Sequence, residues 1–169
     1  MNAVPTMPTR NQLAAALKDA ITLRGTVADL LAHKGTVVHA IGPSETVYAA
    51  IQKMTECRAG ALPVVDGGKL VGIISERDYT RKGILQGHAS QETRVDTLMS
   101  SPVISVGSTT TLGDCMRIVT EHGIRHLPVV DGEQVVGVLS IGDLVRAVVQ
   151  QQTEVIQSLK AFIGSDYPT

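Results

Sequence analysis

The chain has 169 residues and a formal net charge of -1, and 43% of its residues are hydrophobic but only 2% aromatic. This length fits one compact unit or two small fused ones, and it can bury a sizeable core without disulfides or metals. The balanced charge argues against nucleic acid and anionic membranes as partners. The shortage of aromatic side chains argues against stacking platforms for single-stranded nucleic acid, so the core must be aliphatic.

The cysteines and the absence of long apolar runs predict a soluble, cytoplasmic protein. Cys57 and Cys115 are far apart and form no CxxC pair, so we interpret them as reduced, small hydrophobic residues. The sequence has no stretch of the roughly 18 apolar residues that a membrane span needs. Residues 1–10 also lack the apolar run of a secretory signal.

The hydrophobic pattern predicts the order β-α-β-β-α twice, flanked by further helices. The chain begins with a predicted helix over 11–23. The first repeat has a helical lead-in at 27–31, a strand at 37–40, a helix with its apolar stripe at 47–54, hairpin strands at 61–65 and 70–75, and a helix over 77–85. The second has a lead-in at 95–99, a helix with its stripe at 112–119, hairpin strands at 127–130 and 135–140, and a helix over 141–152, and a terminal helix with an apolar stripe at 155–163 follows.

The limits of these helices are predicted from capping residues. Ser44 or Thr46 is the expected N-cap of the first repeat's first helix. Gly60 and Gly123 lie near the ends of the equivalent helices, where glycine adopts a left-handed cap at little cost.

The hairpins reveal that the chain repeats itself. The hexapeptide Leu-Pro-Val-Val-Asp-Gly at 62–67 recurs at 127–132, and Asp-Gly between apolar runs is a strong hairpin signal. We therefore predict two copies of one unit packed as a pseudo-twofold pair. The expected organisation is an N-terminal extension at 1–24, a first repeat at 25–86, a second repeat at 94–152, and a C-terminal helix or tail at 153–169.

Each hairpin is followed by the pattern G-x-x-S-x-x-D, at 72–78 and at 137–143. With the hairpins, these motifs make the chain resemble a tandem pair of CBS domains (a Bateman module), and especially stand-alone bacterial proteins of that kind. The resemblance spans about residues 25–150. It implies an α+β fold of two pseudo-symmetric β-α-β-β-α repeats packed sheet to sheet, with extra terminal helices, and a homodimer of two such chains.

The motif residues have a chemistry of their own. Ser75 and Ser140 lie where a strand gives way to a helix, and such a serine can cap the helix or bind a phosphate. Asp78 and Asp143 follow in the first helical turn, where a carboxylate can accept both hydroxyl groups of a ribose. The alternative is that serine and aspartate only form a capping box. The glycine that opens each motif removes a side chain from the last hairpin strand, which permits a close approach.

The resemblance also implies where an adenine would bind, which is between the first strand and the hairpin of a repeat. The implied residues are Val38, Gly60, Ala61 and Pro63 for one site, and Ile104, Arg125, His126 and Pro128 for the other. The glycine-alanine pair leaves room for a base and the arginine-histidine pair does not, so the two sites should differ.

Phosphate groups need cations, and Arg77, Arg125 and His126 are the candidates, since a guanidinium can bind a phosphate with two hydrogen bonds. The alternative for both arginines is a solvated surface position. Arg81 and Lys82 are interpreted as solvated charges.

The sequence offers little support for a metal site. His122 and His126 have a metal-ligand spacing, but Gly123 should end the helix between them, and no cysteine or acidic cluster completes a site. We therefore expect no metal.

The leading functional hypothesis is a non-catalytic sensor of adenine nucleotides. It would bind AMP as the first candidate, or ADP, ATP or NAD(H), and would signal to a protein partner or through its own dimer. The alternative is a ligand-free interaction module. No Ser-His-Asp order, acidic dyad, P-loop or dinucleotide fingerprint argues for an enzyme.

Overall fold

The computed structural model describes residues 23–35 and 37–165. The predicted helix over 11–23 therefore lies almost wholly outside the described residues. The elements are α1 (Val27–Lys34), α2 (Val47–Cys57), β1 (Ala61–Asp66), β2 (Lys69–Ser75), α3 (Glu76–Asp78) running into a π-helical segment (Tyr79–Ile84), α4 (Val95–Leu98), α5 (Leu112–His122), β3 (His126–Asp131), β4 (Gln134–Ser140) and α6 (Ile141–Ser165).

The two hairpins confirm the predicted repeat and the mixed α+β fold. β1 pairs antiparallel with β2, and β3 pairs with β4, each with a register shift at the same relative position. The turns bend through glycines with positive φ, namely Gly67 and Gly68 in the first hairpin and Gly132 in the second. Each hairpin is a separate two-stranded sheet. The resulting pair of small sheets is held together by side-chain packing rather than by one continuous ladder.

The predicted strand at 37–40 is wrong. Only Ile41 pairs with β1, through a single parallel bridge to Val64, and Val106 makes the equivalent bridge to Val129 in the second repeat. The Ile41 amide donates to the Pro63 carbonyl at 3.1 Å, and the Val65 amide donates to Ile41 at 2.9 Å. The residues just before Ile41 have no strand partner and line a cleft.

The helix ends agree with the sequence in part. Thr46 caps α2, since its side chain accepts from the Ala49 amide at 3.1 Å. Gly123 is the left-handed cap of α5, with φ at 61°. The expected cap at Gly60 is wrong: Arg58 takes the left-handed conformation, with φ at 52°. The two helices predicted at 141–152 and 155–163 form one helix, α6, because no glycine or proline lies at their junction.

Each lead-in helix packs into the core of the other repeat. Val27 and Leu31 of α1 are buried in the second repeat's core, while Val95 and Leu98 of α4 are buried in the first repeat's core. Burying such a side chain contributes roughly 1.5–3 kcal/mol. The exchange therefore ties the two repeats into one unit.

Equivalent backbone hydrogen bonds attach each lead-in helix to the repeat whose core it enters. The Val27 amide donates to Thr110 at 2.9 Å, and the Leu112 amide donates back to Gly25 at 3.0 Å. In the other crossing, the Val95 amide donates to Glu45 at 2.8 Å, and the Val47 amide donates to Thr93 at 2.9 Å. These pairs occupy equivalent positions of the repeats, so the pseudo-twofold symmetry extends to the exchange itself.

The motif glycines make the exchange possible. A Cβ atom at Gly137 would lie 2.7 Å from Cδ2 of Leu31, and a Cβ atom at Gly72 would overlap the side chain of Met99. Both approaches are closer than normal van der Waals contact. The close approach that these glycines permit is therefore made by the exchanged segment of the chain.

We predict that Gly137→Ala lowers the free energy of unfolding by about 1–3 kcal/mol, since the added methyl group must displace Leu31 from a packed core. Gly107→Ala is the matched control, because its Cβ atom would meet only ordinary contacts at 3.6 Å and beyond. Chemical denaturation of the two variants tests this. Equal stabilities would contradict the packing role assigned to Gly137.

Candidate functional site

A cleft of about 420 Å³ lies between the two repeats. The first repeat contributes Val38 and the turn from α2 into β1, including Gly60 and Ala61. The second repeat contributes Ser140 and Asp143, at the junction of β4 and α6. The cleft thus combines the predicted adenine wall of one repeat with the predicted ribose motif of the other.

Ser140 and Asp143 form a capping box at the start of α6. Oδ2 of Asp143 accepts from the Ser140 amide and from the Ser140 hydroxyl, both at 2.8 Å, and the Asp143 amide donates to that hydroxyl at 3.2 Å. The capping role that the sequence left open is therefore present. It fixes the carboxylate at the mouth of the cleft, and it uses only one of the two carboxylate oxygens.

Two cations complete the surroundings of Asp143. Lys34, the last residue of α1, places Nζ 2.6 Å from Oδ2, and Arg146 places Nη2 2.5 Å from Oδ1. Asp143 is only 6% exposed. Burial alone would raise the pKa of its carboxyl group, but the hydrogen bonds from Lys34 and Ser140 outweigh burial and lower the pKa to about 2. Asp143 is therefore ionised at neutral pH and held by the chain's own donors.

His126 fills the space that Gly60 leaves. A Cβ atom at Gly60 would lie 3.2 Å from Nε2 of His126, so a larger residue at position 60 would push the ring away. Burial and the neighbouring charge of Lys34 lower the pKa of His126. The ring is therefore neutral at pH 7 and can offer one donor or one acceptor to the cleft.

The first repeat's own motif does not border this cleft, although its Asp78 is more exposed than Asp143, at 18% against 6%. Ser75 and Asp78 form the same capping box, but the other oxygen of Asp78 accepts from the Ser100 hydroxyl at 3.2 Å and lies 3.4 Å from Nζ of Lys82. Lys82 also donates to the Leu98 carbonyl at 3.1 Å. Ser75 and Asp78 line neither this cleft nor a cavity of about 540 Å³ beside it.

The difference arises at the strand edges. Ser100 exchanges two backbone hydrogen bonds with Ile73 of β2, so the chain runs along that edge and covers it. At the equivalent position of β4, the Val138 carbonyl accepts from the side chain of Lys34 at 2.8 Å. The chain turns away there, at Gly35 with φ at 94°. A side chain therefore covers one edge and the main chain covers the other.

The structure brings together six of the thirteen predicted site residues: Val38, Gly60, Ala61, His126, Ser140 and Asp143. The other seven do not line this cleft: Pro63, Ser75, Arg77, Asp78, Ile104, Arg125 and Pro128. The two prolines are buried in the hairpins and accept backbone hydrogen bonds from Ile41 and Val106. The two arginines are exposed, and of the three predicted phosphate ligands only His126 lines the cleft.

The cations that do border the cleft are Lys34, Arg58 and Arg146, none of which the sequence singled out. Arg146 could have been found, because it lies three residues after Asp143 on the same helical face. Arg58 holds a left-handed conformation where the second repeat has a glycine. Such a conformation is uncommon for residues other than glycine and is often retained at functional sites.

A second cavity of about 540 Å³ adjoins the cleft and shares Lys34, Asp143 and Arg146 with it. It lies between α1 and α6 and is open to solvent. Among the described residues, no group of three or more histidine, cysteine, aspartate or glutamate side chains is arranged to hold a metal ion. No helix of the described residues is long and apolar enough to cross a membrane.

The family to which this fold and cleft belong is shown by comparison with known proteins. The model of the CBS domain matches the chain twice in tandem, at residues 27–83 and 95–150. The chain therefore belongs to the CBS-domain family.

Individual relatives cover most of the chain. CBSX3, a mitochondrial CBS domain-containing protein of Arabidopsis thaliana, is 39% identical over 84% of this chain and 73% of its own length. A solved CBS-domain protein from Burkholderia ambifaria is 43% identical over 76% of this chain and 96% of its own, with a TM-score of 0.72. CBSX2, solved in complex with AMP, is 28% identical over 75% of this chain and 98% of its own, with a TM-score of 0.62.

The lowered pKa of Asp143 predicts a pH dependence of stability. A depressed pKa stabilises the fold fully above the unfolded value of about 3.9, and this contribution is lost as the pH falls through about 2. Wild type should therefore exceed Asp143→Asn by about 2 kcal/mol in free energy of unfolding at pH 6. The difference should shrink between pH 4 and pH 2, as measured by urea denaturation.

Glu133→Gln is the control for this experiment, because the ion pair of Glu133 with Lys69 is exposed and such pairs contribute little. A difference between wild type and Asp143→Asn that stays constant down to pH 2 would contradict the strong pairing of Asp143.

Proposed function

We propose that this protein is a non-catalytic regulatory protein that binds an adenine nucleotide in the cleft between its CBS repeats. The observation that carries this proposal is the cleft itself. It joins a backbone wall with little side-chain bulk, at Gly60 and Ala61, to an ionised carboxylate at Asp143. A purine needs such a flat space, and a ribose needs such an acceptor.

AMP is the first candidate ligand, since CBSX2 binds AMP and shares this fold. ADP, ATP and NAD(H) are the other candidates. A second site remains a prediction, with an adenine against Ile104, Arg125, His126 and Pro128, and we propose that Ser75, Arg77 and Asp78 supply its ribose and phosphate contacts. That site would have to open by releasing Asp78 from Ser100 and Lys82. We infer that the Asp143 cleft is occupied first, because Asp143 borders that cavity and Asp78 does not.

Calorimetry with AMP, ADP, ATP and NADH tests this function. Asp143→Ala should abolish the first binding event or weaken it at least about tenfold, because the ribose loses a charged acceptor. Asp78→Ala is the matched control, since it removes the equivalent residue of the motif that does not line the cleft, and it should leave that first event unchanged. If none of the four nucleotides gives heat or raises the melting temperature, the chain is instead a ligand-free interaction module.

We further propose a homodimer that uses the exposed face of α6. Ile141, Val145 and Val149 follow one another at four-residue intervals and are 41%, 49% and 59% exposed. They form an apolar stripe on one helix face, and a second copy of the chain would bury it. A downstream protein partner and a cytoplasmic location remain predictions; the relative CBSX3 is mitochondrial.

We expect Val145→Glu to shift the protein from dimer to monomer, because it places a charge in the centre of the stripe. Gln150→Glu adds the same charge to an exposed position of the same helix and should leave the dimer intact. Light scattering after size-exclusion chromatography measures the mass of each. A monomeric wild type, or a Val145→Glu variant that stays dimeric, would rule out this interface.

A further inference from the structure

In the free protein, the carboxylate that a ribose would use is already occupied. Oδ2 of Asp143 accepts from the amide and hydroxyl of Ser140 and from Nζ of Lys34, and Oδ1 accepts from Arg146. A carboxylate offers about four acceptor positions in all. The two hydroxyl groups of a ribose can therefore bind Asp143 only if Lys34, Arg146 or both move away.

Displacing these cations has a cost that depends on the ligand. A neutral nucleoside replaces two charged donors by two hydroxyl groups and leaves the cations without an anion. A 5′-phosphate carries a charge of about -1.5 to -2 at pH 7 and offers three acceptor oxygens, so it can take over both cations. The exchange then conserves the ion pairs instead of breaking them.

The charge around the cleft fits this exchange. Lys34, Arg58 and Arg146 line it against a single carboxylate, Asp143, and the lowered pKa of His126 leaves that ring neutral. The lining therefore carries an excess of two positive charges, which one phosphate dianion would neutralise. Arg58 keeps its unfavourable left-handed backbone at this very border.

We propose that Lys34 and Arg146 form a latch on Asp143 that only a phosphorylated nucleotide releases at low cost, so that the cleft selects 5′-phosphorylated adenine nucleotides over neutral adenine nucleosides. This inference rests on the proposed function and names the ligand class of the same site. Lys34 acts in both states, first as the partner of Asp143 and then as the partner of the phosphate.

The lysine that contacts the first repeat's motif, Lys82, is held by more partners than Lys34. Lys82 contacts Asp78, but it is also held by the Leu98 carbonyl and the Ser100 hydroxyl. Lys34 is as exposed as Lys82, at 40% against 39%, but it has only two partners, Asp143 and the Val138 carbonyl. The lysine at the open cleft is therefore the one that can move.

Calorimetry with AMP and adenosine on wild type and Lys34→Met tests the latch. Wild type should bind AMP at least about tenfold more tightly than adenosine, as expected for a charge-assisted contact. Lys34→Met should change the two affinities in opposite directions: AMP weaker by about tenfold, because it loses a cation, and adenosine tighter by several fold, because Asp143 is released. A purely structural role for Lys34 would weaken both ligands together.

Two further variants sharpen the result. Lys34→Arg retains the charge and should keep the preference for AMP. Lys69→Met removes a lysine from an exposed ion pair with Glu133, far from the cleft, and should leave both affinities unchanged. Denaturation of each variant confirms that it is folded.

The outcomes separate this inference from the function on which it rests. If wild type binds AMP and adenosine equally well, or if Lys34→Met weakens both in parallel, the latch is wrong and the nucleotide-binding function stands. If wild type binds none of AMP, ADP, ATP, NADH and adenosine, the proposed function fails, and this inference fails with it.

Discussion

The whole arrangement depends on the crossing of the two lead-in helices. α1 is fixed to the second repeat by backbone hydrogen bonds to Thr110 and from Leu112, and its Leu31 lies against the bare backbone of Gly137. The equivalent bonds fix α4 to the first repeat. Neither repeat can keep a complete core without a segment that precedes the other one. The two small sheets therefore fold as one cooperative unit, although no strand pairing joins them. The crossing also brings Lys34 to Asp143, 109 residues further along the chain.

Two copies of one motif acquire different properties from this framework. Both carry a serine-aspartate capping box with nearly identical geometry, so the local sequence makes them equal. The segments that pass over them differ. Ser100 pairs with the edge of β2 through its main chain, whereas Gly35 turns the chain away from β4 and leaves a lysine side chain in its place. Two backbone hydrogen bonds hold Ser100 against β2, so that edge stays covered. A single side-chain hydrogen bond holds Lys34 against β4, and a ligand group can take its place. The asymmetry therefore follows from the connections between the helices and strands.

The sequence predicts best what local patterns control. The Asp-Gly turns, the apolar stripe of α2 and the cap at Thr46 depend on neighbours within a few residues, and all are found where expected. It fails where a distant partner decides the outcome. The β-branched run before Ile41 has strand-like composition, yet only Ile41 has a paired partner in β1.

The exchange of lead-ins was equally out of reach, because residues 27–31 and 95–99 have similar patterns and both cores are aliphatic. Nothing local tells which core each segment enters. Lys34 is an example. A lysine in the last turn of a helix is expected from the helix dipole alone, so the sequence gives no sign of a further role. Its contact with Asp143 exists only once α1 has crossed to the second repeat.

The anchoring of α1 also determines where a change at Lys34 can be felt. The first turn of α1 is held by the amides of Val27 and Ala28, which donate to Thr110 and Ser108, and Leu31 is buried in the core. We therefore expect the release of Lys34 from Asp143 to be felt beyond this point, at Gly35, Val37 and Val38. That segment borders the cleft on the side of the first repeat. A ligand shifts a conformational equilibrium only through its different affinity for the two states. Here the two states differ in the partner of one lysine, and the residues that respond to its release also form the wall against which an adenine would bind.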